Sequence, residues 1–181
     1  MNGAGCLRWS QPGESVSKTC YVSGMRIDIP VHLRWSDMDA YGHVNNVDML
    51  RLLEIARIEA FWASESQTHH TGILDALPGS PTATYVARQE IEYLAPLTYR
   101  RDPVVVELWI GHIGGASLEV CYIIRDAGSG PDTVVYAQAS TTLVMVDTAT
   151  GKPRRITQVE RETWLGYVGE PLSFRHRRSP R

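Results

Sequence analysis

Residues 37–46 read D-M-D-A-Y-G-H-V-N-N, placing Asp37, Asp39, His43, Asn45 and Asn46 within a single short segment around Gly42. A carboxylate can act as a general base or a nucleophile, and an imidazole or amide can orient a substrate or a water. If a helix starts at the end of this segment, its first backbone N–H groups lack intrahelical acceptors. They can then receive the negative charge that develops on a carbonyl oxygen. Hydrolysis or acyl transfer is the chemistry this combination suits.

The flanking pattern supplies the elements that would hold these groups. Ile27, Ile29, Val31, Leu33 and Trp35 alternate with Arg26, Asp28, Pro30, His32 and Arg34, which predicts a half-buried strand. Pro30 places an edge or bulge early in it. Asn45 or Asn46 is suited to cap a helix running to about Ala63. That helix carries Met49, Leu50, Leu52, Leu53, Ile55, Ala56, Ile58, Ala60, Phe61 and Trp62, so it should be largely buried, wrapped by a curved sheet. After a loop at Leu77–Pro81, four strands follow at Ala83–Tyr93, Val104–His112, Ser117–Arg125 and Thr133–Asp147. Turn residues separate them at Pro96, Asp102-Pro103, Gly114-Gly115 and Gly128–Pro131. Gln158–Tyr167 reads as a short closing helix. One strand, one long helix and then four strands joined by short turns predict an antiparallel α+β roll.

The 181 residues suit one domain, and 43% hydrophobic with 21% charged residues is ordinary for a globular chain. A formal charge of −2 gives no general attraction to nucleic acid or anionic membrane. Residues 1–24 read as a flexible extension, with Met25 an alternative start, 25–168 as the domain, and 169–181 as a basic tail. Cys6, Cys20 and Cys121 have no metal-type spacing, and Cys121 sits in an apolar run as a small buried residue. No signal-type or membrane-spanning run is present, and the expectation is a soluble, cytoplasmic protein. Asp37, Asp39, His43 and the pair His69-His70 match no zinc motif, so no metal or other cofactor is expected.

The run R-W-S-D-M-D-A-Y-G-H-V-N-N followed by L-x-x-L-E-x-A-R resembles the hotdog-fold acyl-CoA thioesterases of the 4-hydroxybenzoyl-CoA thioesterase family. Ile91-x-Tyr93-x-x-Pro96, Gly115-x-Ser117 and V-D-x-x-T-G-K-P extend the likeness from about Met25 to Ile156. The resemblance implies a five- or six-stranded antiparallel sheet around one central helix, and a homodimer or tetramer of dimers. It implies an acyl-CoA or acyl-carrier-protein thioester as substrate. It maps the catalytic acid onto Asp39 and the oxyanion-binding backbone N–H onto Asn46. Tyr41, His43, Asn45, Arg88 and Ser117 become substrate-binding candidates. Met49 stands before Leu50 where relatives often carry an aromatic residue, a departure that bears on the acyl pocket.

Each role has a structural alternative. Asp37, one residue from Asp39, points the other way if the chain is extended and is assigned to capping or turn stabilisation. His43 either orients the thioester or a water, or hydrogen-bonds the turn. The Asn45 and Asn46 side chains are assigned to capping. Glu54 and Arg57 are spaced for an intrahelical ion pair, with Glu54 the reserve carboxylate, since a related hotdog subgroup carries its acid on this helix. Arg88, Arg100, Arg101, Lys152, Arg154 and Arg155 are candidate phosphate contacts or plain solvated charges. The rival functions are a hotdog enoyl-thioester hydratase or dehydratase, and a non-catalytic acyl-thioester-binding protein.

Overall fold

Alternate apolar positions build the first strand, β1 (Ile27–Val31), with Ile27, Ile29 and Val31 buried and Asp28 and Pro30 facing out. The computed structural model describes residues 24–61, 79–128 and 130–175. A 3-10 turn at Trp35–Asp37 and a tight loop lead into the central helix α1 (Asn46–Phe61). Cys6, Cys20, the expected helix end at Ala63 and the His69-His70 pair lie outside the described residues. Then follow β2 (Thr82–Tyr93), β3 (Val104–Ile113), β4 (Ser117–Arg125), β5 (Val135–Asp147), β6 (Lys152–Pro153) and α2 (Gln158–Leu165).

The strands form one six-stranded antiparallel sheet in the order β1-β3-β4-β5-β2, with the short β6 paired to β5. Together with α1 against its concave face, this is the expected hotdog α+β architecture. Register aligns Ile27, Leu108, Tyr122, Ala139 and Ile91 in one row across that face. Buried Leu108, Val120, Tyr122, Ile124 and Leu143 pack with Met49, Leu52, Leu53, Ala56 and Phe61 of α1 to form the core.

Burial of α1 is narrower than its composition suggests. Met49, Leu52, Leu53, Ala56, Arg57, Ala60 and Phe61 are buried, yet Val47 is 68% and Ile55 37% exposed. The physical reason is placement: α1 packs chiefly over β1 and β3. The β2 side of the concave face is left open, and Val86 and Tyr93 of β2 are 47% and 49% exposed.

The far face of the sheet is covered from the C-terminal side. α2 is closed at its start by a capping box between Thr157 and Glu160. Beyond it, Gly169 N–H donates to Ile110 O (2.9 Å) and Trp109 Nε1 donates to Glu170 O (2.8 Å). Gln138 Nε2 donates to Ser173 O (3.2 Å), and Arg175 N–H donates to Glu92 Oε1 (2.6 Å). The first residues of the basic tail thus run across the convex face from β3 to β2. A side chain at Gly169 would stand 2.9 Å from Trp109 Cδ1, so this crossing needs glycine. Beneath it Cys121 is fully buried, and burial pushes its thiol up to about 11.

Candidate active site

Residues 38–44 form a hairpin-like loop closed by an antiparallel bridge between Met38 and Val44. Asp39 N–H donates to His43 O (2.8 Å), and Gly42 N–H returns to Asp39 O (3.2 Å). Gly42 has φ of 78°, a left-handed conformation that glycine enters without strain. Two further bonds seat the loop: Val44 N–H to Leu97 O (2.7 Å), and Asn45 N–H to Asp37 O (2.8 Å).

The two carboxylates have separate environments. Asp37 is fully buried. Its Oδ2 accepts from Arg34 N–H (2.8 Å) and Arg51 Nη2 (2.6 Å), and its Oδ1 from Arg34 Nε (2.8 Å). Burial acts to raise its pKa, but these hydrogen bonds and the charges of Arg51 and Arg34 outweigh it and hold the carboxyl below its usual range. Both oxygens are already held by donors, as fits a structural residue. Asp39 is half-buried, and its Oδ1 accepts from Tyr41 N–H (2.8 Å) and His43 N–H (3.1 Å), an Asx-type turn. Oδ2 has no partner among the described residues, so one oxygen is fixed and the other is free to take a proton or attack.

The helix start follows directly. Asn45 is the N-cap: its carbonyl accepts from Met49 N–H (2.9 Å) and its Oδ1 from Val47 N–H (3.0 Å). Asn46 is the first helical residue, and its own N–H has no acceptor among the described residues. Beside it is a cleft of about 260 Å³ lined by His43, Val44, Met49, Tyr93 and the segment Leu94–Leu97. Tyr93 OH reaches Asn46 O at 3.5 Å, which ties the β2 end to the helix start.

The loop therefore gathers Asp39, Tyr41, His43, Asn45 and Asn46, with Tyr41 85% exposed at its tip. Arg88 and Ser117 are elsewhere in this chain. Arg88 pairs with Thr142 and Tyr93 with Ala137, which separates Arg88 from the Tyr93 end by roughly 17 Å of strand, on the convex face. Its side chain is 70% exposed and ion-paired with Glu90 (2.5 Å). Ser117 opposes Val144, roughly 23 Å along β5 from Ala137. Glu54 is 59% exposed and stands 3.9 Å from Arg57 Nη2, whose hydrogen bond goes instead from Nη1 to Tyr122 OH (3.2 Å). Of the other basic residues, Arg100 is paired with Asp126 and Arg154 with Glu160, while Arg101, Lys152 and Arg155 have no ion pair among the described residues.

Tyr93 and Arg51 are site-related residues to which sequence reasoning gave no role, and Arg57 was read there only as the partner of Glu54, a pair the structure shows at 3.9 Å. Tyr93 and Arg57 did stand inside the quoted motifs, so a signal for both was present. No group of His, Cys, Asp and Glu among the described residues could hold a metal ion.

A single helix enclosed by an antiparallel sheet, with a polar loop at the helix start, defines a hotdog-fold enzyme. The sequence profile of the thioesterase-like superfamily matches residues 33–163, and the chain belongs to that superfamily. No curated protein matches it. Among solved structures, a putative thioesterase from Pseudomonas aeruginosa is 30% identical (TM-score 0.58), covering 76% of this chain and 95% of its own. A thioesterase from Thermus thermophilus, complexed with coenzyme A and Zn, is 28% identical (TM-score 0.59; 77% and 93% covered). A predicted thioesterase from Bacillus stearothermophilus is alike in fold, with TM-score 0.66, 24% identity, and 81% and 99% covered. Among the described residues no helix is long and apolar enough to cross a membrane.

Proposed function

We propose that this chain hydrolyses acyl-CoA thioesters to a free carboxylic acid and CoA, with Asp39 as general base or nucleophile and Asn46 N–H as oxyanion donor. The observation that carries the reading is the pairing of a half-fixed carboxylate and an unfilled helix-start N–H on one loop. The Tyr41 and His43 N–H groups lock Asp39 Oδ1 and leave Oδ2 available. A thioester carbonyl beside Asn46 would place its oxygen on the positive end of α1 and its carbon toward Asp39. Sulfur stabilises a carbonyl poorly by resonance, so a water activated by Asp39, or direct attack giving a mixed anhydride, suffices without a Ser-His-Asp triad. The His43 ring and Tyr93 line the adjoining cleft and would position the acyl group. CoA as the carrier is supported by the Thermus thermophilus neighbour that holds it.

We place the working enzyme as a cytoplasmic homo-oligomer. The strand β2 forms one end of the sheet, with Val86 exposed on the face that α1 leaves uncovered and Tyr85 exposed on the opposite face. Pairing β2 with a second copy would bury that edge.

The test is thiol release from acyl-CoAs of short, long and aromatic acyl groups, each repeated with the corresponding acyl-carrier-protein thioester. Release from at least one supports the reading. Absence of thiol from all of them, with crotonyl-CoA losing its enoyl absorbance, would instead establish the hydratase.

A further inference from the structure

Arg51 ties the first turns of α1 to the chain just after β1. Its Nη2 donates to Asp37 Oδ2 (2.6 Å) and its Nε to Asp48 Oδ1 (3.0 Å). One planar guanidinium thus spans two acceptors, a link that a compact ammonium cannot make in the same geometry. Asp37 is fully buried and also held by Arg34 N–H and Nε, so that end of the link is fixed. Arg51 itself keeps 26% of its side chain exposed.

Both groups proposed for the chemistry hang from this link. Asp37 stands two residues before Asp39, and its carbonyl accepts from the N–H of Asn45 (2.8 Å), the residue before Asn46. Asp48 stands in the first turn of α1, two residues after Asn46. The loop that carries Asp39 therefore leaves and returns at Asp37, and the helix that presents the Asn46 N–H is bound to the same residue through Arg51. Buried Leu52 and Leu53 seat α1 in the core, but apolar contact is non-directional, whereas the guanidinium bonds fix direction and distance. An oxyanion donor works at about 2.7–3.1 Å, and a misplacement of about 1 Å can cost roughly 10²-fold. Arg51 is not among the residues that line the cleft beside Asn46, so it bears on this spacing and not on substrate contact.

We propose that Arg51 is a positioning residue for thioester hydrolysis: by bridging Asp37 and Asp48 it sets the spacing between Asp39 Oδ2 and the Asn46 N–H. This rests on the thioesterase reading above.

The experiment measures kcat and KM for thiol release in the wild type, Arg51→Lys and Arg51→Ala, at a temperature where circular dichroism shows all three folded. It also follows amide hydrogen exchange at Asn45 by NMR. Arg51→Ala should lose about tenfold in kcat with KM within about twofold, and exchange at Asn45 should quicken about tenfold. Arg51→Lys should fall between, because its ammonium serves one carboxylate and not both. The gap in Arg51→Ala opens to solvent, so guanidinium chloride at about 20 mM, far below denaturing levels, should raise kcat in that variant alone, against sodium chloride at equal ionic strength. An unchanged kcat in Arg51→Ala, a loss confined to KM, or a kcat loss without faster Asn45 exchange overturns the inference and leaves thioester hydrolysis intact. Absence of wild-type turnover on every thioester would fail the thioesterase reading. Asn45 exchange would then decide alone: unchanged rates in Arg51→Ala overturn the link, and faster ones uphold it. If Arg51→Ala does not fold, Arg51→Lys is judged by the same comparison of kcat, KM and exchange.

Discussion

Asp37 and Asp39 are separated by one residue, and the structure gives them opposite sensitivities to the same change. Conversion to asparagine at Asp37 replaces a fully buried carboxylate that accepts from Arg34 N–H, Arg34 Nε and Arg51 Nη2. The amide brings its own N–H groups against one set of donors and removes the charge from the others. Breaking a buried pair costs about 3–5 kcal/mol. Arg34 and Arg51 are 59% and 26% exposed and can turn to water, so the lower end applies, about 3 kcal/mol. For a domain of this size that is a fall in Tm of roughly 6–12 °C. At Asp39 the asparagine carbonyl can keep the bonds from Tyr41 and His43 N–H, and the other oxygen has no partner to lose among the described residues. Its stability change should stay within about 0.5 kcal/mol, while acyl-CoA hydrolysis falls by about 10²–10⁴-fold. Calorimetry and a thiol-release assay, the latter run well below the lower Tm, separate the two. Unchanged turnover in Asp39→Asn, or a Tm loss there equal to that of Asp37→Asn, would refute the division of roles.

The remaining predictions concern acid stability and the loop. Glu160 accepts from Arg154 and from Thr157 N–H at the start of α2, and these bonds, Arg154 first, lower its pKa to about 2 from 4.5. Because the folded value lies below the unfolded one, its stabilisation is complete above about pH 5 and is lost as pH falls toward 2, at most about 3 kcal/mol. Glu160→Gln should lower Tm at pH 7 and flatten its decline between pH 5 and 2; a slope equal to wild type would count against this account. At Gly42 a Cβ meets nothing within 4 Å, so Gly42→Ala should cost only the left-handed backbone term, about 1 kcal/mol. Gly42→Asn should cost less, and urea titrations that rank the two in the other order would show that φ is not the cause.

How far the site was legible follows from the range of its interactions. The loop from Asp39 to Asn46 is local: an Asx turn, a left-handed glycine and an asparagine cap are all made by residues within a few positions of one another, so their types announce them. The strands were legible for the same reason, since alternation registers burial on one face; β4 matches its expected span of Ser117–Arg125. Arg57 was not legible in this way. Spacing pairs it with Glu54, and that ion pair is present at 3.9 Å, but the contact spacing could not announce is Tyr122, 65 positions away, whose OH accepts from Arg57 Nη1 at 3.2 Å. Arg88 and Ser117 show the converse limit. A motif assigns them to a groove, whereas register in one chain sets them along the strands far from the loop, so any joint role with Asp39 requires a second protomer.

That requirement connects the exposed flank to the chemistry. An N–H at the start of a helix stabilises an oxyanion strongly only where water is excluded, because the same field is screened in solvent. In the single chain Asn46 and Val47 are exposed, and Tyr93 and Leu94 beside them are 49% and 44% accessible. The groups proposed for the chemistry, Asp39 and the Asn46 N–H, thus both come from one chain, while the low-dielectric surroundings they would need do not. Covering the β2 side with a second copy would supply them. Activity should therefore fall with dilution through the dimer dissociation constant, and faster than protein concentration alone dictates. Sedimentation and thiol release measured over one concentration series test this, and a constant specific activity across the dissociation midpoint would show that the lone chain is already competent.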